Sequence, residues 1–165
     1  MNTKKLVTAA LMAALCCVAT MLITIPSPLK GYLNLGDCLV LTSAWILSPA
    51  YGFLAAGLGS SLADVFSGYA IYAPATFLIK GLMAVIAHKG FHLLRKRLPS
   101  LPSRILSGAA AEVLMVLGYF VFEGFLYGFL PSAVNIPANG MQGIVGLVLA
   151  VALINTLQQS KVIQK

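Results

Sequence analysis

Acidic residues are almost missing from this sequence. Asp and Glu together number 4 in 165 residues, and all charged types make up 9% of the chain, where a soluble domain carries roughly 25%. A chain this poor in charge cannot cover a water-facing surface. Cysteine is scarce too. Cys16, Cys17 and Cys38 are an odd count without metal-ligand spacing, which argues against a disulfide framework and reads as small apolar packing groups. The two histidines, His88 and His92, stand one helical turn apart with no third ligand nearby, so they read as interfacial side chains rather than a metal pair. There is no G-x-x-x-x-G-K-[ST] phosphate loop and no H-E-x-x-H pair. The expectation is therefore no enzyme, no metal and no cofactor, with any energy supplied by a partner.

What is present is apolar: 59% of residues are hydrophobic and the mean hydropathy is +0.93. This composition predicts an all-α polytopic membrane protein, a single domain over residues 1–165. The net charge of +7 could suggest nucleic acid in a soluble protein. Here the basic residues sit at segment ends, which fits membrane orientation, and no nucleic-acid partner is expected.

Six helices are predicted. The first runs from about Lys5 to Ile25. Its apolar run is too long for a secretory h-region and no A-x-A site follows it, so it reads as a retained span. Ala9/Ala13 and Ala10/Ala14 form two overlapping small-xxx-small patterns that would let another helix approach closely. Pro26 to Gly36 is a loop containing Lys30, Tyr32 and Asn34. Asp37 follows where a helix N-cap belongs, a role compatible with ligand contact. The second helix, about Cys38 to Leu47, rises only about 16 Å. The third, Ala50 to Ser67, is rich in glycine, serine and alanine and carries Asp64 near its end.

The fourth helix, from Ala73-Pro74 to about Leu94, places Lys80 near mid-membrane with Thr76 one turn before it. A basic break over 93–104 precedes the fifth helix, about Ser103 to Gly128. There Glu112, Tyr119, Glu123 and Tyr127 fall on one side at about 100° per residue. A proline-bearing loop over 129–139 leads to the sixth helix, about Ala138 to Leu157, with Asn139 and Gln142 sharing a face near its start.

With a cytoplasmic N-terminus and six crossings, the C-terminus is also cytoplasmic. Lys4, Lys5, Lys89, Arg95, Lys96, Arg97, Arg104, Lys161 and Lys165 then all lie inside, while Lys30 alone lies outside, as the positive-inside rule requires. The outer halves of the helices gather Asp37, Asp64, Tyr72, Thr76, Tyr119, Glu123, Tyr127, Asn139 and Gln142, with Lys80 at the floor. The inner halves carry little besides Glu112. That asymmetry describes a pocket open to the outside and closed below. Stacking rings, one ammonium and several carboxylates suit a small polar aromatic ligand. The alternative for the charges is an internal ion pair, Asp64 or Glu123 with Lys80.

The stretches GYLNLGDCLVL and SPAYGFLAAGLGSSLADVFSGYAIYAPATFLIKGLM, with the alanine-rich first helix, resemble the substrate-binding (S) components of energy-coupling factor (ECF) vitamin transporters. The likeness is to the branch holding riboflavin, hydroxymethylpyrimidine and vitamin B6 types, and it covers essentially the whole chain. It implies a multi-pass bacterial plasma-membrane subunit that captures a small water-soluble vitamin with high affinity from outside. The subunit would dock on a transmembrane coupling subunit driven by two ATPase subunits.

The resemblance also implies that the alanine motif, here Ala9, Ala10, Ala13 and Ala14, contacts the coupling subunit. The loop after the first helix, with Asn34, would help close the pocket. The outer parts of the last three helices would supply ligand contacts, matching Tyr72, Lys80, Tyr119, Glu123, Asn139 and Gln142. A pyridoxine-type vitamer or hydroxymethylpyrimidine is the preferred ligand and riboflavin the alternative. A stand-alone ion-coupled transporter using Asp64, Lys80 and Glu123 as a relay is the reading from another class.

Overall fold

The computed structural model describes residues 3–27 and 31–160. Lys30, Lys161 and Lys165, which enter the orientation argument, lie outside the described residues. The elements in order are α1 (Thr3–Leu22), a hairpin of β1 (Ile25–Pro26) and β2 (Tyr32–Leu33), α2 (Gly36–Ile46), α3 (Pro49–Phe66), α4 (Ala73–Leu94), α5 (Ser100–Tyr127), the short α6 (Phe129–Ser132), one 3-10 turn (Ala133–Asn135) and α7 (Ile136–Gln159).

The helix boundaries follow local chemistry. Pro49 opens α3 and Pro74 lies in the first turn of α4, where a missing N–H costs nothing. Gly128, at φ 95°, ends α5 in a backbone conformation that side chains with a Cβ rarely adopt.

Two local expectations are corrected. The segment after α1, a plain loop by its sequence, forms a small antiparallel hairpin, with Ile25 opposite Leu33 and Pro26 opposite Tyr32. Proline is tolerated there because the strand lies at an edge. The segment over 129–139 is helical rather than a loop. Pro131 and Pro137 lie in the first turns of α6 and α7, where proline fits a helix instead of breaking it.

The short α2 is the hub of the bundle. It packs against α1, α3, α4 and α7, and Val40, Leu41 and Ala44 are fully buried. With neighbours on so many sides, an eleven-residue helix needs no length of its own to be held. The outside of the bundle is apolar: Leu22, Phe125 and Leu130 are 74%, 80% and 87% exposed. Such a surface suits lipid and not water.

Among the described residues, four stretches are long and apolar enough to cross a membrane: α1, α4, α5 and the run Phe129–Gln159. The polar and small residues of α3 and the brevity of α2 set those two apart.

The two ends of the bundle differ. The hairpin, the α3–α4 turn and the start of α7 lie together at one end, around a common cavity. The start of α3 meets the last turns of α4 at the other. The second turn of α5 also reaches the last turns of α7 there, through hydrogen bonds from Arg104 to Asn155 and Gln158.

Candidate functional site

The site is built around α2. Asp37, in the first turn of this helix, is completely buried and accepts from two helices at once. Lys80 of α4 pairs with one carboxylate oxygen. Gln142 of α7 donates to the other at 2.6 Å. Gly146, one turn along α7, makes the approach possible, because a Cβ there would sit 2.6 Å from the Asp37 Cβ.

The network continues upward. The Gln142 side-chain oxygen accepts from the Asn34 backbone N–H at 2.9 Å, and the Asn34 side chain accepts from the Gly36 N–H at 2.9 Å. One chain of polar contacts thus joins α4, α2, α7 and the segment after the hairpin. It satisfies charges that would be costly to bury unpaired.

Two sequence expectations change here. Asp37 does not cap α2, since no side-chain cap bond is made and Leu35 holds the capping position. The ion pair expected between Asp64 and Lys80 forms between Asp37 and Lys80 instead. The reason is geometric. Inserting α2 between α4 and α7 puts the Asp37 carboxylate against the ammonium, while Asp64 near the end of α3 is engaged from above by the hairpin. Tyr32 donates to Asp64 Oδ1 at 2.5 Å. Burial and the neighbouring Asp64 charge raise the Tyr32 pKa above the ordinary phenol range, so Tyr32 remains a donor. Asp64 Oδ2 has no hydrogen-bond partner.

Above the ion pair lies a cavity of about 30 Å³, water-sized. Of the residues expected to contact ligand, Asn34, Tyr72, Thr76, Tyr119, Glu123, Asn139 and Gln142 line it. Asp37 and Lys80 stand behind this wall, with the Lys80 ammonium 5.5 Å from the centre of the Tyr119 ring. Tyr127 is off the wall. The stripe on α5 explains that: fifteen residues rise about 22 Å, longer than the cavity. Tyr119 and Glu123 therefore face the cavity. Glu112 instead lines a separate groove between α5 and α7, opposite Gly143, with neither carboxyl oxygen hydrogen-bonded.

The walls are preorganised by one another. The Thr76 and Tyr119 hydroxyls are 3.0 Å apart. Glu123 accepts from the Asn135 amide at 2.9 Å on both oxygens and from Tyr72 at 3.4 Å. The roof is aromatic: Tyr32 packs on Tyr69 at 4.6 Å between ring centres, and Tyr72 meets Phe122 at 5.5 Å. Such a shell offers stacking faces, carboxylate acceptors and hydroxyl or amide groups, a set suited to a small polar ring. No group of three metal-ligating side chains occurs among the described residues.

The expected contact residues leave out Ser27, Gly31 and Tyr32 on the wall, although the loop expected to close the pocket contains them, and Asn135 behind it. The hairpin that folds the first three inward has almost no hydrophobic pattern to betray it. Asn135 stands in a helical turn whose flanking prolines, Pro131 and Pro137, suggest a loop. Asp64 was singled out, but for a different partner.

The first helix resolves its two alanine patterns. Ala9 is buried and Ala13 half-buried against α3, where a Cβ on Gly59 would strike the Ala13 carbonyl and Cys16. Ala10 and Ala14 are exposed. Of the four positions, Ala10 and Ala14 are the ones left open on the surface of this chain. The Ala9/Ala13 register is already occupied by α3.

The sequence profile of the family described as "ECF-type riboflavin transporter, S component" matches residues 1–159. An uncharacterised protein of Pyrococcus woesei, from the gap 3′ region, is 40% identical over 116 residues, which are 67% of this chain and 72% of that one. The "Thiamine precursor transporter HmpT" of Lactococcus lactis subsp. cremoris (strain MG1363) is 27% identical over 164 residues, 98% of this chain and 92% of its own. The solved structure of the S component of a bacterial ECF transporter superposes with a TM-score of 0.78 at 24% identity, over 96% of this chain and 98% of that one.

Proposed function

This chain belongs to the family of ECF-type riboflavin transporter S components, and from that premise we propose that it captures a single-ring vitamin precursor of the hydroxymethylpyrimidine type. Membership makes it a membrane protein and a vitamin-uptake component of an ECF transporter. In this reading the whole chain works as one domain in the plasma membrane. It crosses six times, with both termini cytoplasmic and the hairpin end outside.

The observation that carries the reading is the cavity beneath the hairpin, with carboxylates, an amide and phenols set around a floor held by Asp37 and Lys80. An aminopyrimidine donates through its amine and accepts through its ring nitrogens. The unpartnered Asp64 oxygen and Glu123 meet the former. Thr76, Tyr119 and Asn139 meet the latter, and Tyr72 supplies a ring face. Lys80 and Asp37 hold the floor rather than the ligand. The hairpin must lift to admit a ring, because the space beneath it is water-sized. A single ring requires less displacement than a tricyclic flavin, and the name of the Lactococcus relative points the same way. A pyridoxine-type vitamer fits the same groups. Riboflavin is the second reading, supported by the family description.

Uptake is completed on a transmembrane coupling subunit driven by two ATPases. The exposed Ala10/Ala14 register of α1 is the face offered to it. Mass spectrometry of small molecules extracted from the purified protein tests the ligand. Recovery of hydroxymethylpyrimidine or a B6 vitamer is expected. Recovery of riboflavin alone rejects the single-ring reading.

A further inference from the structure

The end of the molecule opposite the hairpin carries a second polar feature, which the ligand site does not use. The last turns of α4 and the start of α3 border a groove of about 350 Å³ lined by Pro49, His88, Lys89, His92, Leu93 and Lys96. His88, Lys89 and His92 lie on the last turns of α4 and Lys96 just past its end, so two lysines and two imidazoles border the groove together.

The groove is partly built. The His88 and His92 rings stand 4.4 Å apart. His88 Nδ1 hydrogen-bonds the Ala44 carbonyl of α2 at 2.9 Å, which fixes that ring.

No carboxylate balances this charge. The chain has four acids. Asp37, Asp64 and Glu123 belong to the hairpin-end network, and Glu112 faces α7 at Gly143. The buried Arg104 at the same end is committed elsewhere, to Asn155 at 3.1 Å, to Gln158 at 3.2 Å and to the face of Phe91.

We propose that this groove binds the phosphate headgroup of an anionic phospholipid. A cationic groove without an internal counter-charge is complementary to a phosphate diester. Its volume accommodates a headgroup. Leu93, on its wall, is 66% exposed, so an apolar surface adjoins the cations where acyl chains would run. A soluble phosphate has no use for that surface, and this favours the lipid. A merely solvated basic patch would follow total charge, whereas a site depends on which lysines carry it.

The test uses the full-length protein in nanodiscs of phosphatidylglycerol or phosphatidylcholine, with native mass spectrometry of the lipid retained after release into detergent. Phosphatidylglycerol should be retained in preference. The double variant Lys89→Gln/Lys96→Gln should lose about tenfold or more of that preference, while keeping vitamin binding as proof of folding. Arg95→Gln/Arg97→Gln, the same change of charge on the adjoining loop, should leave retention unaltered.

Equal retention of both lipids overturns the proposal, as does equal loss in both double variants. Displacement of the lipid by inorganic phosphate would assign the groove to a soluble anion and overturn the lipid. Loss of the coupling subunit by the lysine variant with lipid retention unchanged would make the groove a protein contact and overturn it as well.

Discussion

Lys80 on α4 and Asp37 on α2 form an ion pair in which the two side chains are 2% and 0% exposed. Forty-three residues separate them in sequence. The pair does not neutralise itself in isolation, because Gln142 takes the second Asp37 oxygen and passes the constraint to Asn34. An ion pair buried this deeply stabilises little relative to apolar packing, but removing one member strands the other.

Lys80→Ala should therefore reduce stability by about 3–5 kcal/mol, read as a fall in melting temperature in detergent, and should weaken ligand binding. The double variant Asp37→Leu/Lys80→Met removes both charges and should recover most of the melting temperature without recovering affinity. Unchanged melting of Lys80→Ala would show that Asp37 finds another partner.

The alanine registers of α1 separate folding from assembly. Gly59→Leu should destabilise the bundle, because α3 meets the α1 backbone there without room for a side chain. Ala10→Leu/Ala14→Leu should leave melting and ligand affinity intact while reducing co-purification of the coupling subunit about tenfold, equivalent to about 1.4 kcal/mol. Normal co-purification would move the partner to another face.

The hairpin is held to the core by the Tyr32–Asp64 hydrogen bond. Tyr32→Phe keeps the ring contact with Tyr69 but removes a bond to a charged group, worth about 1.5–3 kcal/mol. Ligand dissociation followed by stopped flow should accelerate about tenfold or more, with a fall of several degrees in melting temperature. An unchanged rate would mean that the hairpin is not the barrier to release.

Composition by itself determined that the chain is a membrane-embedded helical bundle. Scarce charge left no other solvent, and proline and glycine marked the ends of α3, α4 and α5 to within a few residues. The gathering of Tyr72, Thr76, Tyr119, Glu123, Asn139 and Gln142 toward one end was also legible, because periodicity within a helix assigns faces and depths.

Periodicity says nothing about how one helix is rotated and set against another, and that is where the tertiary structure decided. It chose Asp37 over Asp64 for Lys80 by inserting α2 between α4 and α7. It turned Ala9 inward and left Ala10 outside, a choice between two patterns one residue apart. It laid Tyr32 across the cavity on a two-residue strand pair that carries no periodic signal, and it brought Asn135 against Glu123 across a turn whose prolines read as breaks. Each outcome depends on contacts between segments distant in sequence, and long-range packing energies rather than local propensity select among them.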